Sequence, residues 1–107
     1  MTLAEKECVP CKGGVPPLKG EPLKKLHDQL DSWDLIEEHH ITKTYTFKSF
    51  KDSMEFTNKV AALAEQQDHH PDINISFNKV ALVLWTHKID GLSESDFIFA
   101  AKADKLI

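Results

Sequence analysis

Two pairs of adjacent histidines, His39-His40 and His69-His70, and a lone His87 are the side chains of this sequence best suited to moving protons near neutral pH. His69-His70 stands out by position. Pro71 disfavours helical backbone at His70, so a helix arriving from upstream must stop around residues 68–70. The end of a helix carries partial negative charge, which favours protonated imidazole. Glu65, one turn before His69, and the adjacent Asp68 supply carboxylates that help hold a proton there. Adjacent residues on an extended segment face opposite ways, so His69 and His70 are expected to differ in role and to chelate a single ion poorly. A structural alternative stays open, because basic residues in a last helical turn are favourable caps.

His87 follows an apolar run, Val80 to Trp85, that reads as a central strand. A hairpin beginning after Pro71 could bring it back toward His69-His70. Asp96 stands three residues after Ser93, a capping-box arrangement compatible with a second role. His39-His40 falls at a bend and reads as a solvated surface pair. Cys8-x-x-Cys11 is half of a four-ligand zinc site, and no second pair exists to complete it. Gly13, Gly14, Pro16 and Pro17 follow it, which does not suit a redox motif opening a helix. No metal site is expected. No serine or cysteine has a nucleophile motif, and no glycine-rich phosphate loop is present.

The elements that must position these residues follow from periodicity and breakers. Residues 1–22 carry four of the five prolines and read as an extended N-terminal arm ahead of one domain, 23–107. A short helix fits Leu23 to Leu30, and strands fit Trp33 to Glu38 and Lys43 to Phe47. Ser49 caps a long helix to about Gln67. Phe50, Met54, Phe56, Val60, Ala61, Leu63 and Ala64 spread around half of that helix, wider than the ~100° stripe of an ordinary surface helix. Either it makes one deep core contact, or it covers a sheet and also meets another subunit. Ile73 to Phe77 and Val80 to Thr86 form a hairpin about Asn78-Lys79, Asp90-Gly91 turns the chain, and Ser93 caps a last helix. The expected fold is α+β, helix-β-β-helix-β-β-helix, with a four-stranded antiparallel sheet and helices packed on one face.

Composition narrows the function. A chain of 107 residues with 41% hydrophobic and 28% charged side chains suits one folded domain rather than a disordered segment. A net charge of −4 with scattered lysines argues against direct nucleic-acid binding. No apolar run suggests a membrane span, and the acidic start does not resemble a targeting segment. The cytoplasm is the expected compartment, with the nucleus as the second.

The string Glu65-x-x-x-His69-His70-Pro71, then Phe77, His87 and Asp96, resembles the signature of the pterin-4a-carbinolamine dehydratases. The similarity covers about Leu23 to Ala103 and includes Phe77-Asn78-Lys79-Val80, Thr86-His87, Gly91-Leu92-Ser93-Glu94 and Trp33. Ile73 departs from it, standing where animal members often carry a large aromatic. The resemblance implies a hydro-lyase, with no cofactor or metal, that dehydrates 4a-hydroxytetrahydropterin to quinonoid dihydropterin and so recycles a tetrahydrobiopterin-type cofactor. It implies His69 and His87 as the proton-transfer pair and His70 as the residue that orients the pterin. Glu65 and Asp68 would position the histidines, and Asp96 would support His87 or simply cap its helix. A homotetramer or homodimer is implied as well. The family also brings a second class of role, as a dimerisation cofactor for a transcription factor, which the N-terminal arm disfavours. Service to another pterin pathway, and metal binding through histidines and the cysteine pair, are the remaining alternatives.

Overall fold

The computed structural model describes residues 2–9 and 13–107. Three helices, α1 (Gly20–His27), α2 (Phe50–Gln67) and α3 (Glu94–Asp104), pack on one face of a sheet built from β1 (Asp34–Ile36), β2 (His40–Thr46), β3 (Asp72–Ser76) and β4 (Lys79–Leu84). The strand order is β1-β2-β4-β3 and every pairing is antiparallel. The expected α+β order is therefore present.

Alternation decides which side of each strand meets the helices. Ile41 and Tyr45 of β2 and Val80, Leu82 and Leu84 of β4 are buried. They pack with Phe56, Val60 and Ala64 of α2 and with Phe97, Phe99, Ala100 and Ala103 of α3. The wide apolar face of α2 is thus divided: Phe56, Val60 and Ala64 enter the core, while Phe50 and Ala61 remain exposed and Met54 and Leu63 are half-buried. Ser49 caps α2 as anticipated, its hydroxyl accepting from the Asp52 N–H at 3.1 Å.

The element boundaries differ from expectation where turn chemistry intervenes. β1 stops at Ile36 because Glu37 and Glu38 both adopt left-handed backbone, which makes a tight turn and lets β2 begin at His40. The β3–β4 turn is Phe77-Asn78, one residue earlier than anticipated, with Phe77 at φ 50°. α1 begins at Gly20, since Pro22 is tolerated in a first turn, and ends at His27.

The described residues ahead of α1 pack against the domain. A 3-10 turn, Leu3–Glu5, puts Leu3 into the core, a burial that contributes roughly 1.5–3 kcal/mol. The Cys8 and Val9 N–H groups donate to Gln67 Oε1 and Ser95 Oγ, and the Leu18 N–H donates to the Leu92 carbonyl. Cys8 itself is half-buried, and burial pushes its thiol up to about 11. Cys11, and with it the Cys8-x-x-Cys11 pair, lies outside the described residues.

Gly91 is fitted to this packed segment. A Cβ there would collide with Pro17 Cβ, part of a rigid ring that cannot swing away. Gly91→Ala should lower stability by about 1–3 kcal/mol, read by thermal unfolding. An unchanged melting temperature would mean that residues 13–18 do not lie against the Gly91 turn.

Candidate active site

The sheet register explains how residues distant in sequence meet. β3 pairs with β4 as Asp72↔Val83 and Ile73↔Leu82. Continued past the strand ends, this antiparallel register sets residues 69–71 beside 84–86. The exit of α2 and the exit of β4 therefore share one corner of the molecule. A pocket of about 310 Å³ opens there, lined by Asp68, His69, His70, Trp85, Thr86, His87 and Lys88. That volume is at the small end of the roughly 300–1,000 Å³ common for ligand pockets.

α2 ends on Asp68, whose left-handed backbone (φ 51°) lets its N–H and that of His69 reach the Ala64 carbonyl. The chain then extends into Pro71, and the two histidines turn apart as their adjacency dictates. His69 Nε2 lies 2.7 Å from Asp96 Oδ1. His70 Nε2 lies 2.6 Å from Glu65 Oε2. An ionised carboxylate only accepts, so in each pair the imidazole donates from Nε2 and keeps Nδ1 for other partners.

Asp96 is the hub of the corner and is fully buried. While Oδ1 accepts from His69, Oδ2 accepts from the Thr86 hydroxyl at 2.8 Å and from the Ser93 N–H at 2.9 Å. The expectation of Asp96 as helix cap holds through Ser93. Its suggested support of His87 is replaced by a bond to His69. Because Thr86 immediately precedes His87, the same carboxylate still ties His69 to the backbone that carries His87. Gln67, also buried, adds a second brace two residues before His69 by accepting from the Cys8 N–H and donating to Glu7 Oε2 at 2.7 Å.

His87 is not at a strand end. β4 stops at Leu84, and the bridge Thr86↔Gly91 closes a tight loop in which His87–Ile89 form a 3-10 turn. Asp90 takes left-handed backbone at φ 49° and Gly91 completes the reversal, so the turn chemistry outcompetes the strand. The His87 ring is exposed and stacks on Trp85, with centroids 3.8 Å apart and planes inclined by 19°. Trp85 as a pocket wall went unforeseen, since an apolar run ending in tryptophan looks like core. His39 departs from a solvated pair too: its ring lies 4.5 Å from that of Trp85 and its Nε2 is 2.8 Å from Asp90 Oδ1.

Glu65 and His70 form the outer, solvated pair, with side chains 80% and 56% exposed. Water screens such a pair, so Glu65→Gln should change stability by no more than ~1 kcal/mol, measured by chemical denaturation. A larger loss would mean that the pair braces the helix end. Among the described residues no group of three or more His, Cys, Asp or Glu side chains is placed to hold a metal ion. No helix among them is long and apolar enough to cross a membrane.

What this geometry defines is a small open pocket lined by three imidazoles, one of them backed by a buried carboxylate. The sequence profile of pterin 4 alpha carbinolamine dehydratase matches residues 16–106. A protein of Rubrobacter xylanophilus, provisionally named a pterin-4-alpha-carbinolamine dehydratase, is 56% identical over 104 residues, 97% of each chain. A similarly named protein of Alkaliphilus metalliredigens is 51% identical, over 96% of this chain and 94% of its own. A crystal structure from Brucella melitensis, described as a transcriptional coactivator/pterin dehydratase, superposes with a TM-score of 0.79 at 30% identity, covering 84% of this chain and 97% of that one. Another solved structure, a pterin dehydratase-like protein described as a RuBisCO assembly factor in the alpha-carboxysome, gives a TM-score of 0.62 at 28% identity, covering 71% and 89%. The chain belongs to the pterin 4 alpha carbinolamine dehydratase family.

Proposed function

We propose that this chain dehydrates a 4a-hydroxytetrahydropterin to the quinonoid dihydropterin by histidine acid–base catalysis. The observation that carries this is the convergence of His69, His70 and His87 on one pocket, with His69 held through Nε2 by buried Asp96. The reaction asks for little more. The C4a hydroxyl takes a proton and the C4a–O bond breaks with its electrons, releasing water. The N5 proton leaves to a base, and the electrons of the N–H bond form the C4a=N5 double bond. One proton is delivered and one removed, so the net change is loss of water, and neither a redox partner nor a Lewis acid enters the balance.

His69 and His87 are assigned as the proton-transfer pair. His69 reaches the pterin through Nδ1, because its Nε2 is engaged. His70, tethered to Glu65 at the rim, orients the ring system, and Asp68 sets the direction in which both histidines leave the helix. Asp96 fixes the orientation and tautomer of the His69 ring through the bond at Nε2. The physiological role that fits is recycling of a tetrahydrobiopterin-type cofactor in the cytoplasm, and the homodimer or homotetramer implied by the family belongs to the same proposal.

Stopped-flow measurement of quinonoid dihydropterin formation tests the function. Wild-type protein should accelerate dehydration of a synthetic 4a-hydroxytetrahydropterin in proportion to its concentration. A rate equal to that of buffer alone would sink the proposal and leave a binding role as the alternative.

A further inference from the structure

We infer that His39 is a positioning residue for His87, acting through Trp85. The inference rests on the dehydratase proposal for its kinetic arm only. His87 sits on a surface turn, where a side chain used for proton transfer would ordinarily sample several rotamers. Two features of the His39 ring counter this.

His39 grips the turn on both sides of His87. Its ring packs on Trp85, two residues before His87, at a centroid distance of 4.5 Å. Its Nε2 lies 2.8 Å from Asp90 Oδ1, three residues after His87. The indole in turn stacks on the His87 ring at 3.8 Å. Backbone bonds complete the unit, with the Thr86 N–H donating to the Gly91 carbonyl at 2.7 Å and the Asp90 N–H to the His87 carbonyl at 3.2 Å.

His39 is itself held. Its Nδ1 lies 3.1 Å from His40 Nδ1, so both of its ring nitrogens are engaged. One of those two Nδ1 atoms must donate while the other accepts, which fixes the relative orientation of the adjacent rings. The left-handed pair Glu37-Glu38 places His39 in the closing turn of the β1–β2 hairpin, and β2 runs beside the strand that leads to His87. Of the two grips, the ring contact should matter more, because Asp90 is 85% exposed and its pairing is screened by water. Trp85 is then a platform: it lines the pocket and presents the His87 ring to it in one orientation.

The test compares full-length wild type with His39→Ala and His39→Phe by two readouts. Proton NMR follows the His87 Cε1–H resonance, which the indole ring current displaces when the two rings stack. Steady-state kinetics separates kcat from KM. His39→Ala should move the resonance toward that of a free histidine and lower kcat by about ten- to a hundredfold, with little change in KM. His39→Phe keeps an aromatic face on Trp85 and should recover most of both. A resonance unmoved in His39→Ala, or moved with kcat unchanged, would overturn the inference. So would a His39→Phe variant as impaired as His39→Ala. An inactive wild type would sink the dehydratase proposal instead, with the resonance still deciding whether His39 holds His87.

Discussion

His69→Ala and His87→Ala should each slow dehydration by about 10²- to 10⁴-fold, the range for loss of a positioned general acid or base. The two variants should nevertheless part company in stability. His69 lies in a half-buried position and satisfies one oxygen of a fully buried carboxylate. Removing it leaves Asp96 Oδ1 without that donor, at a cost of about 1–3 kcal/mol. His87 is exposed and contributes chiefly its stack on Trp85, so its removal should cost under ~1.5 kcal/mol. Thermal unfolding and kinetics on the same samples check this. Equal kinetic loss with unequal stability loss is the expected pattern. A kinetic loss confined to the less stable variant would mean that His87 takes no part in proton transfer.

Asp96→Ala should be the most damaging single change to the fold of the site. It strips a partner from the His69 imidazole, the Thr86 hydroxyl and the Ser93 N–H at once, at the one fully buried carboxylate they share. Loss of a helix cap together with stranded buried donors should cost about 2–4 kcal/mol in urea unfolding. Asp96→Asn separates catalysis from packing. The amide fills the same volume but offers only one accepting oxygen, so either His69 or the Thr86–Ser93 side meets an NH₂ group. A smaller stability loss with kcat down by roughly 10- to 100-fold is expected, the worth of one charge-assisted hydrogen bond. If Asp96→Asn keeps wild-type kcat, the carboxylate is a helix cap and nothing more.

The sequence carried most of what local rules govern. The Ser49 cap, the Pro71 stop, the antiparallel hairpins and the opposed directions of His69 and His70 all follow from neighbours within a few residues. The family signature named His87 and Asp96 together, a step that periodicity alone does not justify. What escaped were contacts made by chain closure. Asp96 reads fully as a capping acid from its spacing to Ser93, and that satisfied local role hides the bond to a histidine 27 residues away. His39 looks solvated because its partners, Trp85 and Asp90, follow the neighbouring strand β4 and lie far along the sequence. Leu3 and Gly91 carry no local signal for burial or close approach; only the packed N-terminal segment supplies it. Turn chemistry accounts for the rest, with left-handed residues at Glu37, Glu38, Phe77 and Asp90 moving the ends of strands by one to three positions.

In the proposed mechanism His69 and His87 exchange the two protons of the reaction from one pocket. Its most direct test is the dehydration rate of a synthetic 4a-hydroxytetrahydropterin with wild type, each single variant and His69→Ala/His87→Ala together. Wild type should run far above the buffer rate, each single variant should retain a small residue of it, and the double variant should fall to the buffer rate. A double variant that still turns over like wild type would contradict the account.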